Sequence, residues 1–344
     1  MSLRKPPLDP LLRHVPPAPD RARQRSSATP FPPHRLIPLP GRGAEDVVVD
    51  ASGRLIVSLE GGAVARLDPL TTRTEMIGHV GGRPLGMEVC RDGRVLICHA
   101  EHGLLRLDPT NGSVETLADC FGGVPLRFCS NVTLAADGTC WFTQSTDRFA
   151  FEHYVGAMIE HRGSGRLFRR DPNGQVAVVL EGLHFPNGIT LTEDESALIL
   201  AETDGYRLTA LRPRPDGAVE IRCLVENLPG FPDNLSRSRQ GRFWVAMPGP
   251  RSASLDRAGL SAPWLRKLAW RLPRAHHVAP PSTAWAMAFS ESGEVVADVQ
   301  AEIPGFAGAT GAAETHGKLY LASISSQNLL EVDLAGLNLP PAPR

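Results

Sequence analysis

One short phrase recurs along this chain and restricts it to very few folds. His184-Phe185-Pro186-Asn187-Gly188-Ile189-Thr190-Leu191 reads as a tight turn opening into a buried strand. Pro186 fixes φ and lacks an N–H, Gly188 permits a close backbone approach, and Ile189 and Leu191 face one way at period two. Phe231-Pro232-Asp233-Asn234-Leu235 repeats the phrase one unit later, Cys129-Ser130-Asn131-Val132-Thr133-Leu134 one unit earlier, and Gly43-Ala44-Glu45-Asp46-Val47-Val48-Val49 near the start. Each time an oxygen-bearing residue (Asn187, Asp233, Asn131 or Glu45) stands where a short apolar strand begins.

The rest of each unit repeats as well: an apolar strand, an Asp-Gly-type turn, a second apolar strand, then a strand ending in Arg-Leu-Asp-Pro or its kin, as at Arg66–Pro69 and Arg106–Pro109. Units start at residues 45, 86, 131, 187, 233 and about 308, at intervals of 41, 45, 56, 46 and 75. Four-stranded propeller blades recur at about 40–45 residues, so the reading is an all-β, six-bladed β-propeller over residues 34–335. The two long intervals hold insertions, Asp147–Gly163 and Arg251–Ser282, expected to lie over one mouth of the channel. The last unit has three strands, and the early strand Arg35–Leu39 can supply the fourth, closing the ring and removing an exposed edge.

Outside that span, residues 1–33 combine repeated Pro with an Arg-rich patch at Arg21–Arg25 and read as an extended, poorly ordered arm, and 336–344 read as a C-terminal tail. A total of 33 Gly and 31 Pro suits a turn-rich β protein, and a net charge of −1 draws the chain neither to nucleic acid nor to membrane as a whole. No apolar run is long enough to span a bilayer, no secretory signal opens the sequence, and the six cysteines form no CxxC pair, which together suggest a cytoplasmic location. In the second insertion, Trp264, Leu265, Leu268 and Leu272 fall at helical spacing within 263–272. They suit a lid helix packed on the propeller, with peripheral membrane contact as the alternative.

In a propeller the first strand of each blade lines the channel, so Glu45, Asn131, Asn187 and Asp233 would converge on the axis. Two carboxylates and two amide carbonyls, with no sulfur or imidazole, suit a hard divalent ion, Ca²⁺ best. A turn role explains any one of them alone; four at repeat positions point to a site.

The stretch from Ser130 through Asn234, with Gly165-Arg166-Leu167, His184–Leu191, Ala201-Glu202-Thr203 and Leu228–Asn234, resembles the strictosidine synthase-like branch of the SMP-30/gluconolactonase superfamily, and the resemblance extends over residues 35–335. It implies a six-bladed propeller with a divalent metal, usually Ca²⁺, in the channel of lactonase and phosphotriesterase relatives, whose ligand positions Glu45, Asn131, Asn187 and Asp233 match. Plant condensing enzymes of this branch use a Glu on the inner strand of the last blade, where this chain reads Gly308-Ala309-Thr310-Gly311. The expectation is therefore a metal-dependent hydrolase of a lactone, ester or phosphotriester acting on a small molecule, with Asp233 as nucleophile or base. His99 and His102, in His99-Ala100-Glu101-His102 where relatives carry an Asp-Ala-Tyr-Tyr-like run, are candidate acid–base groups. A condensing enzyme or a non-catalytic binding propeller is the alternative.

Overall fold

A computed structural model describes residues 5–214, 218–237, 239–272, 283–337 and 339. Residues 273–282 of the second insertion and most of the tail 336–344 lie outside the described residues. The chain forms a six-bladed β-propeller of antiparallel sheets. Blade one comprises Val47–Val49, Leu55–Ser58, Ala63–Leu67 and Thr74–His79, and blade two Pro84–Val89, Val95–His99, Gly103–Leu107 and Val114–Ala118. Blade three comprises Cys129–Leu134, Cys140–Gln144, Gly165–Arg170 and Val176–Leu183, and blade four Pro186–Leu191, Leu198–Glu202, Arg207–Pro213 and Val219–Val225. Blade five has Arg242–Ala246, Ala284–Ser290 and Val295–Ala301, with Leu235 bridging to Val245 on its inner side. Blade six has Gly311–Thr315, Lys318–Ala322 and Asn328–Asp333, closed by His34–Pro38 with Leu36 opposite Leu330.

The turn joining the first two strands of a blade is built the same way again and again. Asp50 Oδ1 accepts the N–H groups of Ser52 and Arg54, Asp92 Oδ1 that of Arg94, and Asp137 Oδ1 that of Thr139, at 2.8–3.0 Å. These are Asx turns, in which a short side chain replaces a backbone acceptor, and the following Gly53, Gly93 and Gly138 take the positive φ each requires. Six apolar clusters lie between neighbouring blades in turn, from Ile56, Met87 and Leu107 between blades one and two to Ile37, Leu67, Tyr320 and Leu329 between six and one. A seventh cluster lies at one end of the channel: Leu85, Phe128, Phe185, Val155, Met158, Trp270 and Leu8.

The insertions supply that end. Helix α1 (Tyr154–Glu160) belongs to the first, and α2 (Ala253–Leu260) and α3 (Pro263–Trp270) to the second. The orientation expected for α3 is reversed. Trp264, Leu265, Leu268 and Leu272 are exposed, whereas Arg266 and Trp270 are buried against α1 and the N-terminal segment.

Where a poorly ordered arm was expected, residues 5–33 run over the propeller with specific contacts. Leu11 N–H donates to the Glu160 carbonyl and Arg13 N–H to that of Gly259. Arg13 Nη1 lies 2.7 Å from Asp204 Oδ2, where His161 Nδ1 also stands 3.0 Å from Oδ1. Arg21 grips Asp298 with Nε and Nη2, donates Nη1 to Gln300, and lies 4.7 Å over the Trp285 ring. Proline keeps this segment extended and without apolar periodicity, so its anchors are backbone groups and scattered arginines that composition does not reveal.

Candidate functional site

The polar residues at the channel entrance are placed by a repeated β-bulge. In blade four Pro186 opposes Glu202 and Ile189 opposes Leu200, so two residues, Asn187 and Gly188, face one on the partner strand. Blades two and three shift register in the same way, around Leu85–Gly86 and Ser130–Asn131. A bulge re-aims side chains and sharpens local twist. It also corrects the sequence alignment of the repeats: Asn131 is the second bulge residue and Asn187 the first, so they are not equivalent. At the second position Asp46, Gly86, Asn131, Gly188, Asn234 and Gly311 alternate polar and glycine around the ring. The glycines make room. A Cβ on Gly86 would stand 2.4 Å from Asn131 Nδ2, and one on Gly311 2.7 Å from Asp46 Oδ1.

Glu45, Asn131, Asn187 and Asp233 are all buried here, and Asp46, Asn234 and Thr310 join them. Asn234 is the hub: its Oδ1 accepts from Asn131 Nδ2 at 2.8 Å and its Nδ2 donates to Glu45 Oε1 at 3.1 Å. Asn187 Nδ2 donates to Asp233 Oδ1. Thr143 Oγ1 accepts the Asn131 N–H and donates to the Asn187 carbonyl, and Thr310 Oγ1 donates to the Glu45 carbonyl. Asp46 accepts from Met87 N–H and Val47 N–H, tying blade one to blade two. Asp46 and Asn234 each come directly after a residue already singled out; pairing the bulge positions in the sequence would have found them.

Glu45 Oε2 and Asn187 Oδ1 are fully buried and have no hydrogen-bond partner. Burial pushes the Glu45 carboxyl well above its ordinary value, with Asp233 and Asp46 adding to the rise and Arg83 opposing it. Burial, then Asp46, does the same to Asp233, and burial lifts Asp46 to about 7 against its two N–H donors. Three buried carboxyls with two orphaned oxygens form a cluster short of positive charge, which a hard divalent ion would supply. Among the described residues no group of three or more His, Cys, Asp and Glu could hold a metal ion, so a site here depends on the amide oxygens as well.

His99 and His102 are not brought to this cluster. His99 is buried, its Nδ1 accepts the N–H groups of Glu101 and His102, and its Nε2 lies 3.1 Å from the Gly81 carbonyl. Nδ1 thus serves the turn that ends blade two's second strand and Nε2 the loop leading from blade one into blade two, and the exposed His102 ring stacks on His99 with centroids 4.6 Å apart. Over the entrance, Phe128 and Phe185 meet edge to face at 5.5 Å, Phe151 joins Phe128 at 5.4 Å, and the Arg83 guanidinium lies 5.5 Å over Phe151. Phe128 and Phe185 both hold φ 54°, a left-handed conformation that costs a bulky residue on the order of 1–3 kcal/mol. Tyr154 of α1, 36% exposed, stands beside this collar with its ring centroid 6.5 Å from that of Phe151.

Residues 43–259 match the model of the SMP-30/gluconolactonase/LRE-like region. The chain is 34% identical over 218 residues to strictosidine synthase-like protein 13 of Arabidopsis thaliana, covering 62% of this chain and 53% of that protein. It is 32% identical over 271 residues to the adipocyte plasma membrane-associated protein of Danio rerio, covering 75% and 65%. It thus spans between half and two thirds of the length of these curated relatives. Among solved structures it is similar to a gluconolactonase from Xanthomonas campestris, with a TM-score of 0.63, 17% identity and coverage of 98% of this chain and 99% of that one. A calcium-binding protein, regucalcin, from Agrobacterium tumefaciens has a TM-score of 0.62 at 14% identity, covering 91% and 96%.

Proposed function

Because this chain belongs to the SMP-30/gluconolactonase/LRE-like family, on the branch of the strictosidine synthase-like proteins, we propose that it is a metal-assisted hydrolase of a small lactone, ester or phosphotriester. The observation that carries this reading is the pair of buried, unpartnered oxygens, Glu45 Oε2 and Asn187 Oδ1, within a cluster of three carboxyls. Glu45, Asn131, Asn187 and Asp233 would hold a divalent ion, most simply Ca²⁺, with Asn234 fixing Glu45 and Asn131 in place. Such an ion supplies Lewis acidity toward the substrate's carbonyl or phosphoryl oxygen. Asp233 is set by Asn187 and by its own N–H bond to the Ala246 carbonyl, and takes the proton of the attacking water or attacks directly. The Phe128, Phe151 and Phe185 collar receives the apolar part of the substrate and limits water.

A condensing activity is the second reading, favoured by the strictosidine synthase-like relatives. Against it, the start of the last blade's inner strand carries Thr310, bonded to the Glu45 carbonyl. The carboxylate farther along that strand, Glu314, is held by Arg242 and the Trp244 indole.

The test is hydrolysis of a small lactone, an aryl ester and a phosphotriester with and without chelator, alongside Ca²⁺-dependent thermal shift. Wild type is expected to gain thermal stability with Ca²⁺ and to lose turnover to chelator. Asp233→Asn keeps the shape but removes a charge and the base, and should weaken Ca²⁺ binding and cut turnover by about 100-fold or more. A wild type without bound ion, without a Ca²⁺ shift and with activity indifferent to chelator would overturn both site and activity.

A further inference from the structure

We propose that the outward face of α3, with the adjoining end of α2, is a docking surface for an anionic lipid bilayer. A helix packed on a globular protein turns its apolar stripe inward. In α3 and the turn after it the reverse holds: Trp264 is 64% exposed, Leu265 45%, Leu268 57% and Leu272 60%, against 3% each for Arg266 and Trp270. The inversion is fixed by specific bonds. Arg266 donates Nη1 to the Ile159 carbonyl and Nη2 to that of Leu11, both at 2.8 Å, and Trp270 Nε1 donates to the Pro6 carbonyl at 2.9 Å. Arg266 Nε stays buried without a partner, a cost that the two Nη bonds must offset to keep this face outward. Leu260 at the end of α2, and Leu11 and Leu12 beside Arg266, are exposed too and extend the apolar surface.

Charge selects the occupant. The exposed charged side chains of residues 253–272 are Arg257, Lys267 and Arg271, all positive. The acid of this segment, Asp256, is turned inward to Arg251 and the Tyr206 hydroxyl. Lys267 has Asp9 at 3.9 Å, but Asp9 is already paired with Arg162 at 2.5 Å. The whole chain carries a net charge of −1, so this positive character is local. A second copy meeting this face across a twofold axis would set cations against cations. Anionic headgroups instead complement them while the bilayer interface takes Trp264 and the leucines. Trp270, on the opposite side of α3, belongs to the apolar cluster at the channel end, so docking would bring that end of the channel to the membrane surface.

The test is co-sedimentation of the full chain with phosphatidylcholine vesicles with and without phosphatidylglycerol, paired with size-exclusion chromatography and thermal melts of each variant. Wild type is expected to bind the anionic vesicles more tightly, and to lose that preference as salt rises. Lys267→Glu with Arg271→Glu should lower anionic binding by about fivefold or more for each charge. Trp264→Ser with Leu268→Ser should lower it at least about tenfold, with melting unchanged because both side chains are exposed. Failure of wild type to bind either vesicle overturns the proposal. So does a wild-type dimer that the Trp264→Ser, Leu268→Ser pair converts to monomer. None of these readouts depends on hydrolysis, so they stand or fall apart from the activity proposed above.

Discussion

Gly188 has no room for a side chain. A Cβ there would stand 2.5 Å from the Asp233 carbonyl oxygen and 2.5 Å from the Leu235 nitrogen, both backbone atoms. Gly188→Ala should therefore pry blade four from the segment that carries Asp233, lowering the free energy of unfolding in urea by about 1–3 kcal/mol. An unchanged midpoint would mean that the two backbones part freely. Asp204 gives the acid side of stability. Burial by itself would raise its carboxyl, but His161, His184 and Arg13 hold it well below the usual carboxylate range. A carboxyl depressed by folding contributes stability at pH values above its unfolded value of about 3.9, and that contribution drains away as pH falls toward the folded value. Calorimetric melts of wild type should fall below about pH 4. Asp204→Asn should start about 3 kcal/mol lower at neutral pH, because Arg13 loses its buried partner, and should then show a shallower acid limb. Parallel acid limbs would exclude Asp204 from the linkage.

At the scale of elements, two truncations separate docking from closure. Removing residues 1–33 strips Arg13 from Asp204 and Arg21 from Asp298 and Trp285, yet leaves His34–Pro38 paired with Asn328–Asp333. That protein should keep its β-rich circular dichroism but melt at lower temperature. Removing residues 1–38 bares the Asn328–Asp333 edge and should yield aggregate on size exclusion. Identical behaviour of the two would mean that the strand does not close the ring. The blades and this closing strand were legible because Asx turns and period-two strands are local, and their spacing counts blades directly. The one-residue offset of Asn131 was not, because turns fix where a strand begins but not where a bulge doubles its residues. Nor was the facing of α3, since Trp264, Leu265, Leu268 and Leu272 define a stripe without saying which side of it meets protein. That depended on Arg266 finding the Ile159 and Leu11 carbonyls, two contacts distant in sequence. His99 looked available because the sequence cannot show Nδ1 engaged by its own turn and Nε2 by the Gly81 carbonyl of the loop before blade two.

The whole molecule is held by neighbour-to-neighbour clusters, and the proposed ion would add a tie among blades one, three, four and five at the axis. The other tie is the pairing of Arg35 with Glu331, 296 residues apart in the chain. During synthesis the strand His34–Pro38 leaves the ribosome long before Asn328–Asp333 exists to receive it. Until then the nascent protein is an open arc with two unsatisfied ends. Closing so long a loop adds only a slowly growing entropy term, but it comes late and in one step, after the blades between have formed. The reverse step is equally concentrated: the outer strand must peel away before the arc can spread. The seam therefore acts as a latch in time, and lifetime at a given temperature, more than equilibrium stability, is the quantity it governs.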